Sequence, residues 1–181
     1  MDAMRRCLTI VVVLLVSYGM STAAQDMFLK IEGSKQGKFP DESGQQRGTQ
    51  NCVGYQHEVK SPRDASSGLA TGRRQHKPIT FIREIGKSSP LLMKAMTDNE
   101  VLTSVMMEVW EQNNTGQMVQ IYTITLTNAR CVGVRQWSDV GSNQRTPSSG
   151  AMEEVSFTYE KITWTWTNGG ITHEDSWSSS R

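Results

Sequence analysis

The sequence predicts a mainly β domain carrying one short helix. Three observations point there: apolar and polar residues alternate with period two over much of the chain, β-branched and aromatic residues concentrate in those stretches, and one segment alone shows helical spacing. A length of 181 residues suits a single domain. With 36% hydrophobic and 20% charged residues, and 19 Lys+Arg against 18 Asp+Glu, the composition excludes a disordered chain and a strongly basic nucleic-acid binder.

The first strand is expected over residues 27–33 (Met-Phe-Leu-Lys-Ile-Glu-Gly). Residues 34–50 are polar and aperiodic, hence a surface loop. Alternation returns over 52–59, with Val53, Tyr55, His57 and Val59 on one face and Cys52, Gly54, Gln56 and Glu58 on the other. Residues 61–72 carry Pro62, Gly68 and Gly72 and read as a second long loop. Over 77–85 another strand sets Ile79, Phe81 and Arg83 against Thr80, Ile82 and Glu84.

The helix follows. Ser89 suits an N-cap because its hydroxyl can accept from an orphan backbone N–H, and Pro90 suits the first helical position, where no N–H is missed. Leu92, Ala95 and Met96 share a face, and Asp98 and Asn99 close about two turns. A helix this short covers the end of a sheet or barrel.

The second half is strands. Residues 101–110 and 118–127 flank Asn113-Asn114-Thr115-Gly116, a hairpin turn in which Asn and Gly tolerate positive φ. Residues 129–137 continue as a strand, then a Gly-, Ser- and Pro-containing loop is expected over 139–150. Val155, Phe157 and Tyr159 hold one phase, and Ile162, Trp164 and Trp166 hold the other, so a bulge or sharp bend must fall near Glu160 and Lys161. Residues 101–110 are apolar on both faces, which makes that strand central or gives its second face to a subunit interface.

Residues 1–24 stand apart from the domain, 25–181. Arg5 and Arg6 precede an apolar run over 8–16, and small residues from Ser21 to Ala24 follow, the three-part pattern of a secretory leader cleaved after Ala24. The run is shorter than the about 20 residues of a membrane span, so no stable membrane anchor is expected. Cys7 precedes the run, which does not support lipoprotein processing. A translation start at Met20 or Met27, or an added segment, is the alternative. Without Asp2, Arg5 and Arg6 the formal charge falls from +1 to zero, which favours self-association.

Residues that could carry chemistry do not converge in the sequence. His57, His76 and His173 lie in three distant contexts with no metal-ligand spacing. No G-x-S-x-G elbow accompanies the serines. Glu153 and Glu154 are adjacent, so on a strand they point to opposite faces and cannot pair as acid and base. The run Arg73-Arg74-Gln75-His76-Lys77 lacks a glycine cradle for phosphate and reads as a solvated loop edge. Trp164, Trp166 and Trp177 suit core and subunit packing, since no basic run interleaves with them. Cys52 and Cys131 read as buried thiols. No catalytic, cofactor or metal site is expected, and the chain points to binding or assembly rather than to an enzyme.

Several stretches in order resemble the haemolysin co-regulated protein (Hcp) family: 26–33 (Asp-Met-Phe-Leu-Lys-Ile-Glu-Gly), 54–59 (Gly-Tyr-Gln-His-Glu-Val) with 61–64 (Ser-Pro-Arg-Asp), 71–79 (Thr-Gly-Arg-Arg-Gln-His-Lys-Pro-Ile), 88–92 (Ser-Ser-Pro-Leu-Leu) and 159–164 (Tyr-Glu-Lys-Ile-Thr-Trp). The resemblance implies a β-barrel-like fold of two packed antiparallel sheets with one short α-helix. It also implies a homo-hexameric ring that stacks into the inner tube of the type VI secretion system of Gram-negative bacteria. Its partners would be a spike protein, a contractile sheath and effector proteins, with no nucleic acid and no cofactor. The protein would assemble in the cytoplasm and leave through the apparatus itself. Gln56 would be a lumen-facing cargo contact, flanked by Gly54 and Glu58. The loop with Ser61, Pro62, Arg63, Asp64, Leu69, Thr71 and Gly72 would contact neighbouring subunits or rings. Members of the family look leaderless, so a genuine leader would reroute this copy to the periplasm, and a start at Met20 fits the family better. A secreted monomeric β-sandwich binding module and a small secreted enzyme are the competing readings.

Overall fold

The structure, a computed structural model, describes residues 25–40, 42, 50–138 and 150–176. The leader-like segment, the loop around Pro147 and Trp177 lie outside these residues. Among the described residues the elements are β1 (Gln25–Gly33), β2 (Gly37–Lys38), β3 (Gln50–Cys52), β4 (Gly54–Gln56), β5 (Val59–Lys60), β6 (Gln75–His76), β7 (Ile79–Glu84), α1 (Ser89–Thr97), β8 (Leu102–Gln112), β9 (Met118–Trp137), β10 (Met152–Thr158), β11 (Lys161–Trp166) and β12 (Ile171–Ser176).

Two antiparallel sheets share one long strand. Residues 118–129 of β9 pair with β8, which pairs with β1 in turn, while 122–127 pair on the other edge with β11 and so with β12. Past the midpoint, 130–137 pair with β10, which leads to β7 and β4. The chain turns the corner at Asn128, whose φ of 50° lies in the left-handed region that Asn tolerates. Strands that change sheets by a local bend are how orthogonal corners are made. Opposite Asn128 the chain crosses from β10 to β11 through Tyr159 and Glu160, and the Asn128 amide Nδ2 donates to Glu160 Oε2 at 2.7 Å. This is the bend that the phase change between Tyr159 and Ile162 requires. A second crossing falls at Val53, between β3 on the first sheet and β4 on the second, so the two sheets are joined at a second place and pack in a barrel-like arrangement that the strand pairing does not close.

The alternation read from the sequence sets what lies inside. Leu29, Met107, Ile124, Leu126 and Ile162 of the first sheet face Phe81, Val155 and Phe157 of the second, all at 1% exposure or less. Each such side chain contributes about 1.5–3 kcal/mol by leaving water. Helix α1 lies against β9 and buries Leu92 and Ala95. Strand β8 lies between β1 and β9; its one buried carboxylate, Glu108, receives Lys30 Nζ at 2.6 Å and Trp110 Nε1 at 3.1 Å.

The structure departs from the sequence reading in four places. The single strand over 52–59 is three pieces, because the chain changes sheets at Val53 and leaves the second sheet after Gln56. Ser88, not Ser89, is the N-cap, and Pro90 falls one position further in; the Ser88 carbonyl accepts from Leu92 N at 2.9 Å, while Ser89 Oγ accepts from the Gly86 amide at 3.0 Å and donates to Glu153 Oε1 at 2.9 Å. The second long loop, 61–72, is a paired ribbon, described below. Strand β12 was not anticipated, because Ile171–Ser176 is largely polar and exposed and is marked only by the Asn168-Gly169-Gly170 turn before it.

Candidate functional site

The outward face of the second sheet is lined by small polar side chains in register. Gln56 on β4 stands opposite Thr80 on β7, Thr80 opposite Ser156 on β10, and Ser156 opposite Gly133 on β9. Thr80 Oγ1 and Ser156 Oγ share a hydrogen bond at 2.8 Å. The intervening residues Tyr55, Phe81 and Phe157 turn the other way, and the Tyr55 and Phe81 rings lie 6.4 Å apart, so Tyr55 closes the edge of the core. The next row out joins Gly54, Ile82, Glu154 and Arg135, with the Arg135 guanidinium 5.5 Å above the Trp137 ring. Gly54 and Gln56 therefore share this face as expected. Glu58 lies past the end of β4 and is engaged instead by Lys60 Nζ at 2.7 Å and Lys77 Nζ at 3.3 Å; the hydrogen bond from Lys60 leads in holding its carboxyl below the ordinary range.

From this edge the chain leaves the body as a two-stranded ribbon. Val59 pairs with His76 and Lys60 with Gln75, then Thr71 N donates to Pro62 O at 3.0 Å, Arg63 bridges Ala70, and Asp64 N donates to Leu69 O at 2.9 Å. The tip is closed by the Asp64 carboxylate. It accepts from the amides of Ser66 and Ser67 at 3.1 and 2.8 Å and from their hydroxyls at 2.6 and 2.9 Å, which holds it far below the ordinary carboxylate range. Gly68 supplies the left-handed φ of 69° that the turn needs. Between β5 and β6 only Pro62 is partly covered; Ser61, Arg63, Thr71 and Gly72 are exposed, and Leu69 is 69% exposed at the tip. A ribbon so well bonded within itself and so little buried is a preformed projection with an apolar end.

The foot of the ribbon is fixed by residues that the sequence kept apart. Tyr159 Oη lies 2.8 Å from His57 Nε2 and 3.0 Å from His76 Nδ1; His76 Nε2 lies 3.1 Å from Asp175 Oδ2. Arg74 closes on the same carboxylate, Nε to Oδ2 at 2.8 Å and Nη2 to Oδ1 at 2.7 Å. Trp164 completes the group, 5.9 Å from the His57 ring and stacked on His173 at 5.7 Å. His76 is thus 83 residues from Tyr159 and 99 from Asp175 in sequence, and no local spacing could have signalled the cluster. Histidines that stand far apart in the sequence thus meet in space, His57 and His76 at Tyr159 Oη and His173 against Trp164. Among the described residues no group of three or more His, Cys, Asp or Glu is disposed to hold a metal ion, and no helix is long and apolar enough to cross a membrane. Cys52 and Cys131 are buried free thiols.

Comparison with known proteins adds a lineage to this geometry. A sequence profile described as "Type VI secretion system effector, Hcp" matches residues 28–166. The "Major exported protein" of Pseudomonas aeruginosa is 34% identical over 167 residues, covering 86% of this chain and 97% of its own. Among solved structures, "Crystal structure of Hcp protein" superposes with a TM-score of 0.76 at 28% identity, covering 85% of this chain and 100% of the other. A mutant of Hcp1 from E. coli gives 0.73 at 29% identity, covering 85% and 99%.

Proposed function

The chain belongs to the Hcp family, the secreted tube proteins of type VI secretion systems, and from that premise we propose that it assembles into hexameric rings that stack into a tube carrying effector proteins. The observation that carries this reading is the row Gln56, Thr80, Ser156 and Gly133. A sheet face presented to bulk water usually carries long charged side chains, whereas a face that lines a channel for passing proteins needs short, neutral, hydrated groups that hold nothing tightly. Gln56 and Gly54 then face the lumen. The ribbon from Ser61 to Gly72, with Leu69 at its tip, reaches a neighbouring copy in the same ring or the next. A ring is a heterologous closing assembly, in which a projection on one subunit meets a different surface on the next. The protein acts structurally rather than as an enzyme; it assembles in the cytoplasm, beneath a spike and inside a contractile sheath, and is exported with its cargo.

Light scattering on the size-exclusion peak, with negative-stain images of the same fraction, tests the assembly. Rings of six subunits are expected. A monomer at concentrations where the chain is folded overturns the reading and favours a free-standing binding module.

A further inference from the structure

Of the asparagines in the sequence, Asn168 alone is followed by glycine. Asn168 and Gly169 are both exposed, in the turn 167–170 that joins Trp166 of β11 to Ile171 of β12. The backbone bonds of that turn come from its other members: Thr167 N donates to Ile121 O at 2.9 Å, and Gly170 N to Thr167 O at 3.4 Å. The Gly169 amide takes part in neither. Its φ is 95°, a conformation that glycine adopts at no steric cost, and a Cβ placed on it would meet nothing within 4 Å. Asn99 and Asn114 differ on both counts. Glu100, which follows Asn99, donates its amide to Ala95 O at 2.8 Å, and Thr115, which follows Asn114, donates its amide to Asn113 Oδ1 at 3.0 Å. Each of these following residues also carries a side chain that crowds its own nitrogen.

From this we infer that Asn168 is a site of self-modification, which converts without an enzyme to aspartate and isoaspartate and loosens the tip of the β11–β12 hairpin. Gly169 N gives up its hydrogen and forms a bond to Asn168 Cγ. The Cγ–Nδ2 bond breaks, ammonia leaves with that hydrogen, and the turn is closed into a succinimide ring. Water then opens the ring. Opening at the former side-chain carbonyl gives aspartate; opening at the main-chain carbonyl gives isoaspartate, in which the backbone runs through Cβ. Nothing is oxidised or reduced, the co-reactant is solvent water, and an amide has become a carboxylate.

The place of the turn in the sheet gives this chemistry a structural effect. Strand β11 is held on its other side by β9, whereas β12 pairs with β11 alone among the described residues. The far end of β12 is fixed where Arg74 Nε and Nη2 close on Asp175. Its near end depends on the turn, whose closing bond from Gly170 is already long. An isoaspartyl link adds a backbone carbon there and sets a negative charge beside the Trp166–Ile171 pair. Since Trp166 and Ile171 are 45% and 71% exposed, little burial opposes their parting. The change takes the same course in a ring or in a free subunit.

The test is peptide mapping of the full-length protein by mass spectrometry, fresh and after days at about 37 °C and about pH 8, where the amide gives up its hydrogen more readily. Trypsin places Asn168 on the peptide 162–181, which holds no other asparagine. In the aged protein that peptide should appear as two products, each heavier by the change of an amino group to a hydroxyl. The isoaspartyl product should accept a methyl group from S-adenosylmethionine through an isoaspartyl carboxyl methyltransferase. Conversion at Asn168 should outrun that at every other asparagine by at least about tenfold, because only there does the attacking nitrogen belong to glycine. Asn168→Gln should abolish methyl acceptance by this peptide, since the longer side chain must close a larger ring. Amide hydrogen exchange at 166–171 should be faster in aged than in fresh protein, with β9 unchanged. An Asn168 that survives the incubation, or other asparagines converting at a comparable rate, overturns the site; equal exchange in fresh and fully converted protein overturns the loosening of the hairpin.

Discussion

Arg83 on β7 and Glu153 on β10 face each other in register inside the core, Nε to Oε1 at 3.3 Å, with side-chain exposures of 1% and 0%. Neither could be there alone. The guanidinium also meets Glu42 Oε2 at 2.6 Å, Ser88 Oγ at 2.8 Å and Gln50 Oε1, while Glu153 accepts from Ser89 Oγ and from Gln136 Nε2, each at 2.9 Å. The network joins both sheets to the start of α1. Arg83→Met should cost about 3–5 kcal/mol in chemical denaturation, because Glu153 is left as an uncompensated buried charge. Adding Glu153→Leu should recover much of the loss, and a double variant no better than the single would show that the pair acts only by packing.

Asp175 ties the ribbon to β12. Burial alone would raise its carboxyl, but the hydrogen bonds from Arg74 and His76 outweigh that and hold it below the ordinary carboxylate value. A folded-state value below the unfolded one means that its contribution is complete above about pH 4 and is lost as pH falls through the folded value. Asp175→Asn should therefore lower stability at neutral pH by about 1–2 kcal/mol, a figure discounted because Arg74 is half-exposed, and should flatten the acid limb of the stability profile. Thermal melts across the acid range give both numbers.

Burial pushes both Cys52 and Cys131 up to about 11, and each thiol also leans on a backbone carbonyl, of Gly54 and Gly133 respectively. Neither should react with a thiol reagent such as Ellman's at about pH 8 in the folded protein, and both should react at once in denaturant. Rapid labelling at Cys52 or Cys131 in the folded chain, read by peptide mapping so that Cys7 is counted apart, would contradict the packing around β3 and β9.

If the small-polar row lines a channel, Gln56→Trp should leave ring formation intact and remove the protection that the tube gives its cargo. Effector half-life in cells, read beside ring yield, measures it. Unchanged cargo lifetime with rings present would move the cargo surface elsewhere.

Strand periodicity was legible in the sequence because burial on one face leaves an alternation that needs no partner to be recognised. Ile79, Phe81 and Arg83 were placed on one face correctly, although nothing local showed that Arg83 would be enclosed by Glu42, Gln50 and Glu153, residues up to 70 positions away. Where the chain changes sheets, alternation carries across the break and hides it, as at Val53 and at Asn128. The candidate lumen face was half visible: Gln56 and Gly54 belong to one alternating stretch, but Thr80, Ser156 and Gly133 join them only through register between strands. The histidine cluster had no local trace, because each of its members satisfies an ordinary strand or loop pattern where it stands.

The strand β9 holds one more consequence. Because its first half is bonded into one sheet and its second half into the other, neither sheet can unravel while the other survives. Melting should be all-or-none across the described body, with amide protection along β9 matching the global unfolding free energy. If the chain is a tube subunit as proposed, load applied to either sheet passes along a single covalent backbone, from Met118 to Trp137, rather than across a seam that could part.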